Sequence, residues 1–545
     1  MRISFCYIGL MFLLACASKS HEDIASLPVL PFDVTGSAEA MPDFQKGLLL
    51  LHNFEYEEAA ASFREAQHKD SAFTMAYWGE AMTYNHTVWG DLDIDKSRAA
   101  LKRLAPTAEE RVAKAATPME KGFIQAINVL FEEGPSKPDR DKAYAVQMQE
   151  VYTNNPGNHE AAAFYALALL ATKKSWSLAD SLNDKSAEIV KAILKENPRH
   201  PGALHYLIHA DDHPDLADRA LEAAHSYAVE ASYSAHALHM PSHIYLALGM
   251  WDRVVSSNEV AWQASIDKVQ KQRLTNDDLS YHTHLWLQYG YLQRGQFSKA
   301  YNTLREQIRY TRELPSTEAR FHLMVMKGQY LEETDQWTDS LADIPVNTDD
   351  MQFLFRSANR WINASKAFHR KDQAALPPII AEMEKDQTYS EQRLATSDNI
   401  TVCGVKPLKD KVPTKGEIRL SALMMLEVKG MDAWLRNDLA AAEKFFLAAV
   451  EKETSPHIGP PVVIKPANEY IGDFFLANNK PQEALKHYEA ALKYSPGRIH
   501  SLKGEWQAAQ QLHDTERANA LKEKLNTILK DADPSVKNST AAFIP

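Results

Sequence analysis

Along most of the chain apolar residues recur every three to four positions with polar residues between them. Glu160 to Lys173 and Ala179 to Lys195 show this period, and Val/Thr-rich alternation is missing, so these segments predict helices rather than strands. Asn155-Pro156, Asn197-Pro198 and Ser495-Pro496 stand where such helices should stop, because the residue before a proline is driven out of the helical region. Two stretches break the rhythm. Residues 396–416, rich in Pro, Lys and Gly, predict a linker, and residues 454–466 (TSPHIGPPVVIKP) predict an inserted loop that either serves function or caps a groove. Residues 16–41, with Leu27-Pro28 and Leu30-Pro31, lack the period and predict a tether.

A longer order lies over the helices. Gly472, Ala484, Tyr488, Ala491 and Pro496 follow one another at intervals of 12, 4, 3 and 5, and both Gly430, Ala442, Phe446, Ala449 and Gly47, Ala59, Phe63, Ala66 repeat the first three. Thirty-four residues beyond Ala484 and Ala491 stand Ala518 and Leu525. This resembles the tetratricopeptide (TPR) repeat, in which each helix pair exposes an apolar face that only its neighbour can cover. The resemblance implies an all-α, TPR-type α-solenoid: an N-terminal array over residues 42–395 and a C-terminal array over 417–545, about nine or ten units in all. Weaker copies centre on residues 140–172, 184–214, 215–250, 251–295, 297–330 and 337–370.

Composition narrows the class. With 545 residues, 20 Gly and 45% hydrophobic residues the chain is neither collagen-like nor disordered. A net charge of −12 without a dense Lys/Arg cluster supplies little counterion release against phosphate, so nucleic acid is excluded as an expected partner.

The first residues carry an address. Arg2 precedes an apolar run from Phe5 to Leu14, too short to span a bilayer but suited to a secretory signal, so residues 1–15 predict a signal peptide. Leu13-Leu14-Ala15-Cys16 resembles the lipobox of bacterial lipoproteins, which implies cleavage before Cys16 and its acylation. Ala17 and Ser18 follow with no acidic residue, which that resemblance makes compatible with outer-membrane sorting. Cys403 would then be the one thiol of the mature body, leaving no intramolecular disulfide.

Histidine is the candidate chemistry. Eight of the 21 His lie between His200 and His243. His205 and His209 are i,i+4, as are His239 and His243, and the two pairs are 34 residues apart, so they occupy equivalent positions in adjacent repeats. In the TPR resemblance these are positions 5 and 9 of the first helix, with His236 at position 2, all on the concave face. Two such pairs suit Zn or Cu, with Asp211 and Asp212 available to orient an imidazole. Free imidazoles near pKa 6.5 would then release the metal toward pH 5. The same stripe, extended by His282 and His322 and helped by Tyr245, Asn258 and Tyr281, could instead bind a small polar or anionic ligand, or merely form hydrogen bonds along a polar wall. Glu80, at the position of His209 and His243, and His86 are further groove candidates. Pro241 should kink the helix between His239 and His243 or start a new one. No HExxH, GxSxG, phosphate loop or dinucleotide fingerprint occurs, so no catalytic residue is assigned.

Ala76-Tyr-Trp-Gly-Glu-Ala-Met82, His205-Tyr-Leu-Ile-His209, His236-Ala-Leu-His-Met-Pro-Ser-His243 and Gly459-Pro-Pro-Val-Val-Ile-Lys-Pro466 together resemble a group of bacterial TPR lipoproteins, which implies the fold and no reaction. Three functions stay open. One is a membrane-anchored scaffold of the cell envelope that binds a protein partner or ligand in its concave groove. Another is a His-cluster metal-binding protein or metalloenzyme. The third is a surface nutrient binder for polysaccharide, since SusD-like glycan-binding lipoproteins also combine a lipid anchor with TPR helices.

Overall fold

The computed structural model describes residues 30–88, 91–172, 181–393, 412–453, 459–460 and 463–537. Cys16, Cys403 and nearly all of the expected linker lie outside the described residues. Within them the chain is a succession of antiparallel helix pairs; the one ladder is a two-residue pairing of Asn85–His86 with Asp91–Leu92. No helix among the described residues is long and apolar enough to cross a membrane. Several helix starts are written locally: Thr107 with Glu110, Thr117 with Glu120 and Thr414 with Glu417 form reciprocal capping boxes.

The 12-4-3 spacing has a direct packing meaning. Phe63, Phe446 and Tyr488 on second helices press against Gly47, Gly430 and Gly472 on first helices, so closely that an added Cβ would stand 2.9, 2.3 and 2.9 Å from a ring atom. This small-to-aromatic fit, repeated along the chain, makes the architecture a TPR-type α-solenoid. Second helices such as Phe297–Glu313 bury one stripe, whereas every residue of Thr74–Thr83 and of Pro201–Ala210 is buried. A helix apolar all round belongs inside, and these form the inner layer.

The inner layer closes on itself. Helices Met41–His52, Thr74–Thr83, Pro118–Leu130, His159–Thr172 and Pro201–Ala210 follow one another round an axis, and the fifth returns to touch the first. Residues expected to form a tether supply the filling: Phe32, 5% exposed, sits 6.2 Å from Phe44, 6.4 Å from Trp78 and 5.4 Å from Phe123, ring centre to ring centre. Leu30 and Phe32, expected in a tether, belong to the core. Along the first five inner helices an aromatic plug fills the space where an open concave groove was expected. Phe32→Ala should cost about 3–5 kcal/mol through the cavity it leaves, readable as a lowered midpoint in urea unfolding.

Among the described residues the remaining helices pack on both sides of residues 394–411. One apolar core runs from Val255 to Ala508, and across the expected linker Ser357 Oγ lies 2.8 Å from Ser421 Oγ while Trp361 donates to Glu427 at 2.6 Å. The C-terminal repeats then fold back on the middle of the chain: Trp251 Nε1 donates to Gly497 O at 2.8 Å, and Arg498 reaches Tyr289 at 2.9 Å and pairs with Glu469 at 2.7 Å. The weaker copies at 140–172 and 184–214 are a frame out; each joins the second helix of one pair to the first helix of the next, because poor consensus there left only loop prolines as markers.

Candidate metal centre

Three consecutive inner elements carry the clustered histidines. Pro201 opens Pro201–Ala210 at its first turn, and the helix places His205 and His209 on one side. The next first helix is broken: Ala235–His239 ends, and Pro241 begins Pro241–Ala247. His236 and His239 stand on the piece before the break, where His236 meets His205 of the preceding repeat, and His243 stands on the piece after it. Tyr281–Gln293 adds His282 from the following repeat.

The expected four-histidine set of His205, His209, His239 and His243 is not one site. Each i,i+4 pair is completed instead by a neighbour: His205 and His209 by His236, and His239 and His243 by His282. Inner helices packed about 8–10 Å apart hold the two pairs too far apart for four nitrogens to meet one ion.

In the first triad His209 Nε2 and His236 Nε2 stand 3.1 and 3.3 Å from His205 Nε2. His205 Nδ1 donates to the carbonyl of His52 at 2.7 Å, which fixes its proton there and leaves Nε2 as a lone pair. One lone pair cannot serve two neighbours as a good hydrogen bond, yet three nitrogens at this separation match a set of ligands. In the second triad His243 Nδ1 donates to Asp212 Oδ2 at 2.8 Å, and His239 Nδ1 donates to Asn258 Oδ1 at 2.7 Å. Asn258 is itself oriented by a 2.7 Å donation to Val254 O. His239 Nε2 is buried with no hydrogen-bond partner among the described residues. Burial, reinforced by like charge among the neighbouring rings, holds His205 and His239 at about 3 and pushes His236 and His282 well below the usual imidazole range. These four imidazoles are neutral, the form that binds metal.

Both triads border one cavity of about 240 Å³, lined by His209, His236, His239, His243 and His282 on one side and by Glu55, Lys268 and Ser280 on another. Lys268 Nζ bridges Glu55 at 3.1 Å and Glu58 at 2.6 Å.

A further cluster, His52, Glu160 and His200, is completely buried, and its nitrogens are all engaged. Glu160 accepts from His52 Nε2 at 2.7 Å and His200 Nε2 at 3.1 Å, while His52 Nδ1 lies 2.8 Å from Tyr206 Oη and His200 Nδ1 accepts from Ala203 N. It holds His52 in place, and the carbonyl of His52 holds His205. Gly202 lets this happen: a Cβ there would lie 2.2 Å from His52 Nδ1. Gly202→Ala should cost about 1–3 kcal/mol by overpacking and weaken metal uptake at the first triad more than at the second, a difference that titration of the variant will read.

Other expected site residues fall elsewhere. Glu80 is 2% exposed and takes a 2.7 Å hydrogen bond from Gln67 and an ion pair from Arg103, so its carboxylate closes the second repeat instead of facing a groove. His86 stacks on Tyr56 at 4.1 Å outside the cavity lining. Tyr245 is buried beside His225 and does not line the cavity. His322 lies 3.0 Å from Glu318 O in the next repeat. Asp211 pairs with Arg219 and Lys191, leaving only Asp212 of that doublet on an imidazole.

Two walls escaped the sequence reading. Phe54, in a left-handed turn at φ 58°, packs 4.3 Å from His205, and Trp286 packs 4.9 and 4.5 Å from His239 and His243. A bulky residue at a turn where Gly249 and Asn479 serve elsewhere is the one available signal. Gly459 of the inserted loop, at φ 86°, lies so close to Trp286 that a Cβ would come within 2.6 Å, so this part of the loop braces the second triad.

No family model matches the sequence, and no curated protein matches it. Among solved structures the chain is similar to the APC/C hetero-tetramer Cut9–Hcn1, at 11% identity over 88% of this chain and 78% of that one, TM-score 0.34. It is also similar to the TPR domain of P58(IPK), at 13% identity over 88% and 99%, TM-score 0.20. The human IFIT1 dimer with m7Gppp-AAAA matches at 12% identity over 92% and 97%, TM-score 0.35.

Proposed function

We propose that this chain is a metal-binding protein that holds zinc or copper in two three-histidine sites between adjacent TPR-type repeats, with a lipid on Cys16 keeping the body at a membrane of the bacterial cell envelope. The observation that carries the metal reading is the convergence of His205, His209 and His236 through Nε2 at 3.1 and 3.3 Å. Three nitrogens each about 2 Å from one ion and disposed tetrahedrally lie roughly 3.3 Å apart. Partners that fix the far nitrogen, here the His52 carbonyl, Asp212 and Asn258, are what metal-bound imidazoles ordinarily have. The filled axis of the first five repeats favours this reading over capture of a peptide along a concave face.

Elemental analysis of the purified protein after incubation with Zn²⁺ or Cu²⁺ and desalting tests it. Bound metal that falls in His205→Ala and in His239→Ala supports the sites; a chain that keeps neither metal ends the proposal. The anchor has its own test: Cys16→Ala should move the protein from the membrane pellet to the supernatant, and retention in the pellet would refute lipidation at that residue.

A further inference from the structure

Taking the metal reading as its basis, we infer that the two triads form a single dinuclear copper centre, filled as two cuprous ions, whose open positions face the shared cavity and accept a small bridging ligand such as dioxygen or azide.

Geometry comes first. The triads are not separate pockets: His209 and His243 face each other with ring centres 6.2 Å apart, His236 and His239 at 6.5 Å, and all four line the same cavity with His282. An ion bound about 2 Å beyond its nitrogens in each triad therefore lies within one enclosure. Each would have three protein ligands. The remaining position of each faces the cavity, whose volume of about 240 Å³ is roughly that of eight water molecules at liquid density.

Charge selects the metal. Both triads are built of imidazoles alone, with no carboxylate among the ligand atoms. Asp212 touches one imidazole from behind; of the carboxylates lining the cavity, Glu55 is paired with Lys268 and Asp278 accepts from Thr275 N and Oγ1. Repulsion between two like ions scales with the product of their charges. A divalent pair thus repels itself four times as strongly as a monovalent pair at the same separation. Neutral nitrogen donors in a buried site of low coordination suit the softer monovalent ion. The buried, unpartnered His239 Nε2 sits where the second ion would bind.

Two neighbouring cuprous ions can each give up one electron to a dioxygen molecule held between them. Dioxygen takes both electrons, the metals become cupric, and the reduced dioxygen carries two negative charges that offset part of the new positive charge. No outside reductant or proton enters this step. Trp286 and Phe54 form the apolar backing that keeps bulk water from the site.

The test loads the full chain with Cu⁺ under nitrogen, desalts it, counts copper, then oxidises it in air and adds azide. Two copper ions per chain, a cupric EPR signal far weaker than that of two isolated ions, and an optical change that saturates at one azide per copper pair are expected. Two copper ions with full EPR intensity, or only one copper per chain, or no response to azide would each overturn the dinuclear centre while leaving metal binding intact. Absence of copper from a chain that still retains zinc overturns this inference alone; a chain that retains neither metal removes the metal reading with it. His282→Gln keeps a polar side chain of similar reach and should leave one copper with full EPR intensity; a quenched signal in that variant also overturns the pairing.

Discussion

Taking the metal-free protein from pH 7 to pH 5 should lower its stability by several kcal/mol. His205 and His239 are held at about 3 by burial, and His236 and His282 lie well below their ordinary value for the same reason. A histidine whose folded pKa is depressed binds fewer protons folded than unfolded. Stability is then complete above the unfolded value near 6.5 and falls steadily as pH drops toward the folded value. At pH 5 each such ring costs about 2 kcal/mol. His205 and His239 together reach about 4 kcal/mol, a large share of the roughly 5–15 kcal/mol that holds an ordinary domain folded, and His236 and His282 act in the same direction. His322, lowered to about 4, adds to the same window. His500 acts with the opposite sign: Asp473, 3.0 Å away, overcomes its burial and raises it to about 9, so its contribution is full below 6.5 and lost between there and pH 9. Urea unfolding of the apo protein should therefore show greatest stability near neutral pH and a steep loss on the acid side. A flat profile from pH 7 to 5 would show that these imidazoles are not buried as neutral rings. The sequence expectation that metal leaves toward pH 5 by direct protonation also changes, since protons at that pH favour the unfolded chain and not the folded site.

What could be read from the sequence follows from how local each signal is. Gly472 and Tyr488 touch across a hairpin 16 residues long, so their spacing betrays the contact. His205 and His209 share a helix, and the 34-residue step to His239 and His243 is the repeat itself, which placed both pairs on the same inner layer. The division into triads was not visible, because it separates His236 from His239 on one short helix and joins each to an imidazole of a different repeat. The contact of Phe32 with Phe123 and the buried triad at His52, Glu160 and His200 join residues 40 or more apart in sequence, and no spacing rule reports on superhelical closure. Glu80 misled for a related reason. Its repeat position is that of His209, but Gln67 and Arg103 reach it first.

Metal should raise stability at every pH where the site stays intact, while the acid sensitivity persists because bound imidazoles stay deprotonated. An ion that binds only the folded chain adds about 4 kcal/mol at a free concentration a thousand times its dissociation constant. Two triads would add up to twice that, reduced by their mutual repulsion when both are filled with divalent ions. The expected result is a melting transition several degrees higher with Zn²⁺ or Cu⁺ than with chelator, the larger rise coming from Cu⁺. Asp212→Asn separates ligation from folding: it keeps the hydrogen-bond length to His243 Nδ1 but removes the charge behind it, and loss of such a partner typically weakens metal affinity 10–100-fold, or about 1–3 kcal/mol. Its apo melting point should shift far less than its metal-induced rise. Equal loss in both would mean that Asp212 only packs the repeat, and an unchanged rise would mean that His243 does not hold the ion.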